Sequence, residues 1–183
     1  PRTRILNRGD HLKPGDEVEP GLLGAVTSAT GDDGQAGSSA KQGSTSGWRL
    51  ALAGRLTASG TPAAALVARV QVNRVWQQLL GVGLVETSDN FGVNGARPTH
   101  PELLEWLAGE YVRGGWRLKP IIRTIMSSAV YRQSSATPET LNVARAIKAD
   151  PGNHLLWHQR LRRLDSESIR DALLAVSGQL NSA

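Results

Sequence analysis

The densest group of reactive side chains in this 183-residue chain lies near its C-terminal end, in Arg163-Leu164-Asp165-Ser166-Glu167-Ser168-Ile169-Arg170-Asp171. Two carboxylates facing one cleft can hydrolyse a glycosidic bond when burial keeps one of them protonated. Glu167, with Asp171 or Asp89, is the pair that could do so here. His100, with Glu102 and Glu105 nearby, could serve as a general base. His154 and His158 are four residues apart, which on a helix puts both imidazoles on one face, as a metal pair requires. No acidic residue follows them at zinc-protease spacing, so no metal ligands are assigned. Arg160, Arg162 and Arg163 form the one local basic cluster a polyanion could use.

Each of these groups also has a structural reading. Arg163 and Glu167 are four apart, as are Glu167 and Asp171, and the second pair repels. An arginine from another element, such as Arg74 or Arg132, would reconcile the two carboxylates. The leading expectation is therefore a salt-bridge network between helices that draws on Asn73, Arg74, Arg163, Asp165, Glu167, Arg170 and Asp171. A polar ligand site built on those groups is the alternative. Thr99-His100-Pro101-Glu102 reads as a capping box, which gives Glu102 and His100 structural work at a helix start.

The elements that must hold these groups are helical. Ser46 is placed to cap a helix over about 48–58, and Pro62 suits the first turn of a second helix that Gly81 ends after Leu80. Val72, Val75, Trp76 and Leu79 form its apolar side, with Asn73 at the border. Residues 81–98 are Gly-rich and non-helical. Leu103, Leu104, Trp106, Leu107 and Tyr111 mark a third helix, closed by Gly114-Gly115, and Pro120 opens a fourth. Thr137-Pro138-Glu139 opens a shorter one reaching about Ala149. Asp165 caps a last helix with Ile169, Ala172, Leu173 and Val176 turned inward, and Gly178 stops it. Residues 1–26 read as an irregular leader in which Arg8-Gly9-Asp10 is turn chemistry, and 27–47 as a flexible linker without large apolar groups. With no alternating strand in sight, the expected class is mainly α: a helical, bundle-like domain over 48–183.

Composition removes several chemistries. The chain has no cysteine, which excludes a thiol nucleophile, a disulfide framework, a Cys-held cluster and Cys-based zinc or haem attachment. No apolar run approaches the ~20 residues needed to span a bilayer. All five tryptophans follow residue 47 beside apolar neighbours, which places the core in that half. The net charge of +5 is scattered, with arginines interleaved among acids, and this disfavours a nucleic-acid surface.

Several runs occur together and in order: Val72-Asn73-Arg74-Val75-Trp76, Gly81-Val82-Gly83-Leu84-Val85, Phe91-Gly92, Thr99-His100-Pro101-Glu102-Leu103-Leu104, Tyr131-Arg132-Gln133-Ser134-Ser135 and Arg163-Leu164-Asp165 with Glu167 and Ile169-Arg170-Asp171. In these the chain resembles the planctomycete-type domain of unknown function 1553. The resemblance implies a C-terminal portion of a large exported protein, with a cytochrome-c-like domain upstream and any haem carried there. It implies no reaction, and it suggests that the chain is a piece of that domain. Arg55 stands where the family usually has Trp, Thr61-Pro62 where it has Asn-Pro, and His154 and His158 where it has Arg. The expected function is a structural or ligand-binding module, with upstream domains of the same polypeptide or a polysaccharide as partners. A hydrolase using Asp or Glu with His100, and a polyanion binder, are the rival classes.

Overall fold

The computed structural model describes residues 3–18, 47–136 and 142–181. Among these the chain is mainly helical, with six α-helices and one two-stranded sheet. The helices are α1 (Trp48–Leu56), α2 (Pro62–Leu80), α3 (Pro101–Arg113), α4 (Leu118–Ser127), α5 (Val143–Ala149) and α6 (Ser166–Val176). Most of the expected linker, Ser46 and Thr137-Pro138-Glu139 lie outside the described residues.

The leader is not irregular throughout. β1 (Thr3–Leu6) pairs antiparallel with β2 (Pro14–Val18), an element the alternation rule missed because almost every side chain of the pair is exposed. Arg8-Gly9-Asp10 lies in the connecting turn, with φ of 52° at Arg8 and 77° at Gly9. The Asp10 carboxylate accepts from the Leu12 amide at 3.0 Å and pairs with Lys13.

α2 is the central rod. Pro62 occupies its first turn, the Thr61 hydroxyl accepts from the Ala64 amide at 3.1 Å, and Gly81 closes it with φ of 94°. Its buried stripe (Ala64, Ala68, Val72, Val75, Trp76) meets Leu104, Leu107, Ala108 and Tyr111 of α3, whose i, i+3, i+4, i+7 spacing forms one face. α4 adds Ile121 and Ile125, and α1 lies on α2. Burying each large aliphatic side chain of this cluster stabilises by about 1.5–3 kcal/mol.

Several sequence expectations need correction. Trp76 is buried, but Trp106 points to solvent at 49% exposure and Trp116 and Trp157 are half-buried, so aliphatic side chains supply most of the core. α1 follows Gly47 and ends at Leu56, two residues early. α4 begins at Leu118, ahead of Pro120, and ends before Ala129 and Val130. The capping box does not form: His100 is the residue flanking α3, with no side-chain cap. Thr99 instead turns back, its amide donating to the Leu84 carbonyl at 2.8 Å. Asp165 and Gly178 bound α6 as expected, yet Ile169, Leu173 and Val176 are exposed, not inward.

Candidate functional site

The polar residue with the strictest environment is Asn73, which has no solvent exposure. Its amide nitrogen donates to the Val85 carbonyl at 2.9 Å, and its oxygen accepts from the Val85 amide at 2.8 Å. A side chain on α2 thus gives the backbone of Val85 the two bonds a neighbouring strand would otherwise supply. This pins Gly81-Val82-Gly83-Leu84-Val85 to the helix and drives Leu84 and Val85 into the core. Gly83 is required by contact: a Cβ there would lie 2.6 Å from the Val85 carbonyl oxygen and 2.7 and 2.8 Å from the two polar atoms of the Asn73 amide.

The loop that follows is tied to itself. The Thr87 hydroxyl donates to the Asn90 carbonyl at 2.9 Å and accepts from the Ala96 amide at 2.9 Å, while the Asn90 side chain accepts from Gly92 N at 3.0 Å. Asp89 sits on its outer surface. The Phe91-Gly92 run is therefore turn chemistry, with Phe91 packed against the core cluster.

A second polar knot is built on Asp150 and Asn153, at 7% and 4% exposure. The Asp150 carboxylate accepts from the Leu155 amide at 2.7 Å and the His154 amide at 2.9 Å, and its carbonyl accepts from the Trp157 indole at 3.2 Å. The Asn153 side chain accepts from the Trp157 amide at 2.9 Å and donates to the His158 carbonyl at 2.8 Å. The Arg160 guanidinium donates to the Gly152 carbonyl, and Arg162 reaches a last-turn carbonyl of α2, Gln78. This non-helical strap is held at its other side by Gln159, whose amide donates to the Ser134 carbonyl at 3.2 Å. Where the strap crosses the end of α2, a cavity of about 20 Å³ is lined by Trp76, Gly83, Leu84, Thr99, Asn153, His154 and Arg160 among others. That is room for about one water.

The Leu155 amide, and after it the His154 amide with the positive charges of His154 and Arg160, holds the Asp150 carboxyl below its ordinary value of 3.8. A carboxyl depressed in the folded state adds stability that is complete above the unfolded value and is lost as pH falls through the folded one. Asp150→Asn should therefore lower the urea midpoint at neutral pH. The gap from the parent chain should narrow as pH drops below the ordinary carboxylate range, and a pH-independent gap would contradict this. Urea titrations at several pH values read the difference.

The candidates named from sequence are not gathered into one cleft. His100 flanks α3, its Nδ1 3.0 Å from the Thr99 hydroxyl. Asp89 is on the outer loop, Glu167 and Asp171 are on α6, and no hydrogen bond or ion pair among the described residues joins any of them to His100. Glu167 is held below the ordinary carboxylate range by its own amide and then by the Ser166 hydroxyl, opposite to what a general acid needs. Asp165 spends its carboxylate on the Ser168 amide at 2.9 Å, and Arg170 faces its neighbour Asp171 at 3.7 Å. Arg74 and Arg163 are exposed. Among the described residues no ion pair joins Arg74 to the α6 charges. His154 and His158 lie on the strap, not on a helix; His154 Nε2 rests against Gly152, and His158 Nδ1 is 3.0 Å from the Gln159 carbonyl oxygen.

Sequence reading did not single out Asp150 or Asn153, which flank the turn in Asp150-Pro151-Gly152-Asn153. The available signal was the downstream Trp157 and Arg160, which need partners if they pack back on that turn. It also missed a groove of about 490 Å³ between the first half of α2 and the second half of α3. Ala64, Ala65, Ala68, Ala108 and Gly109 are among its lining residues, together with the charged Glu105 and Arg113. Glu105 is held by a two-pronged Arg69 contact at 2.6 and 2.9 Å. One buried side-chain acceptor among the described residues, Gln133 Oε1, has no donor, and nothing nearby explains it.

The family model described as PSD1, protein of unknown function (DUF1553), matches residues 48–183. No curated protein and no solved structure matches the chain.

Proposed function

This chain belongs to the DUF1553 family, whose description assigns no activity, and from that premise we propose that it works as a non-catalytic structural and docking module. The observation that carries the reading is how Asn73, Asp150 and Asn153 use their polar atoms. All three are buried, and all three spend their bonds on backbone groups of adjacent segments. The cavity beside the strap admits about one water, too little for a substrate, and the larger groove has a floor of small apolar residues. The polar signature then serves to fix a surface, not to turn over a ligand.

In this reading the module operates inside a longer exported polypeptide, against neighbouring domains or a polysaccharide. A haem attached through cysteines does not fit this chain, which has none, and would be carried elsewhere in that polypeptide. No helix among the described residues is long and apolar enough to cross a membrane. The polyanion reading is weakened because Arg160 and Arg162, two members of the basic cluster, are engaged with internal carbonyls.

The test is incubation of the full chain with a panel of complex glycans, scoring both retention and cleavage, beside His100→Ala and Glu167→Gln. The expected result is no cleavage by any of the three proteins and the same retention pattern for each. Cleavage by the parent chain that either substitution abolishes, at unchanged stability, would overturn the proposal in favour of the hydrolase.

A further inference from the structure

The helices differ in how they are held. α2, α3 and α4 share the buried core, whereas α5 and α6 bury no residue. Between those two runs the strap, residues 150–162. It meets the body through Leu156, which packs on the core cluster, and through Arg162, which donates to the Gln78 carbonyl. The Gln159 amide adds its bond to the Ser134 carbonyl at 3.2 Å.

The remaining bonds named above for the strap close on the strap itself. The Asp150 carboxylate holds the His154 and Leu155 amides, and the Asn153 side chain holds the Trp157 amide and the His158 carbonyl. Together they shape the turn that presents Leu156 to the body. The turn is strained at that point: Leu156 has φ of 56°, a left-handed conformation that bulky side chains avoid. A strained segment with few ties to its neighbours opens before the core does.

We infer that the strap is a releasable clasp, which lifts off the end of α2 with α5 and α6 and uncovers Trp76, Leu80 and Leu84 while α1 to α4 stay folded. Val85 remains with the body, because its lock to Asn73 lies within it. Loss of the Asp150 charge is the trigger. Asp150 is the strap's one carboxylate, and the charged groups that face it, His154 and Arg160, are on the strap as well. Its carboxyl is held below the ordinary value, first by the Leu155 amide, so the clasp is shut at neutral pH. It loosens as pH falls through the folded value. The inference stands apart from the non-catalytic reading, which only the glycan-cleavage assay tests.

Hydrogen exchange of the full chain, followed by NMR at several urea concentrations below unfolding, tests it. The His154, Leu155, Trp157 and Gln159 amides should open together, at lower free energy and with weaker urea dependence than the central amides of α2 and α3. Asp150→Asn should raise that opening roughly tenfold or more at pH 7, and its gap from the parent should narrow in acid. Asn153→Ala combined with Arg162→Ala should leave the strap open in the resting protein, with α2 and α3 still exchanging about a hundredfold slower or more. One opening shared by the strap and α2, or a strap unprotected in the parent, would overturn the clasp. So would an Asp150→Asn strap no faster than the parent's, or a double variant that stays shut or loses α2 and α3 as well.

Discussion

Replacing Asn73 with alanine is expected to cost about 3 kcal/mol or more of folding stability, a large share of what a small domain has. The loss is more than the Asn73 side chain. Val85 would keep a buried amide and a buried carbonyl with no partner, and each orphaned group costs about 1–3 kcal/mol. Asn73→Leu should do no better, because filling the space satisfies neither group. Asn73→Asp should also fail at neutral pH, since a carboxylate accepts from the Val85 amide but cannot donate to its carbonyl. Urea unfolding followed by circular dichroism measures all three; a loss under about 1 kcal/mol for Asn73→Ala would mean the lock carries little weight.

Gly83→Ala is the second large effect, expected at roughly 2–3 kcal/mol. Overpacking a close contact costs about 1–3 kcal/mol, and here the added methyl meets backbone and a pinned amide instead of the free end of a flexible side chain. Two of its three close contacts are with Asn73 itself, at 2.7 and 2.8 Å. The two substitutions should therefore be less than additive, with a coupling of about 1 kcal/mol in a double-mutant cycle. Full additivity would show that the helix and the Gly-rich loop do not press on each other at this point.

How much of this was legible in the sequence depended on the range of the interaction. α2 was readable end to end because Pro62 and Gly81 act within one turn of themselves, and Asp165 was readable as a cap for the same reason. Asn73 announced itself as a polar residue in an apolar stretch, though its partner, Val85, is twelve residues away and was not predicted. At Thr99 a distant contact overrides a local rule: the capping box is possible by spacing, but its amide and hydroxyl go to Leu84, fifteen residues back. Trp106 stands among the apolar residues that mark α3, but two residues after buried Leu104 it falls on the opposite side of the helix, 49% exposed.

The charge cluster at 162–171 meets the same limit on a larger scale. Spacing along one helix identifies which charges are neighbours, but it does not say where the helix itself goes. Asp165 and Glu167 are occupied within the first turn of α6, and Arg162 is spent on the Gln78 carbonyl of α2, so these charged groups are engaged with structure. The groove was invisible because it is made by alanines and glycine, side chains that announce nothing until two helices stand side by side.

Hydrogen exchange at the Val85 amide under native conditions puts the whole account at risk with one number. If Asn73 locks that backbone inside the core, Val85 should exchange only through global unfolding, with the same protection as the central amides of α2 and with protection lost in Asn73→Ala. Exchange at Val85 as fast as in the exposed turn around Val93, while α2 stays protected, would contradict it and reopen the Gly-rich segment as a mobile, ligand-accessible loop.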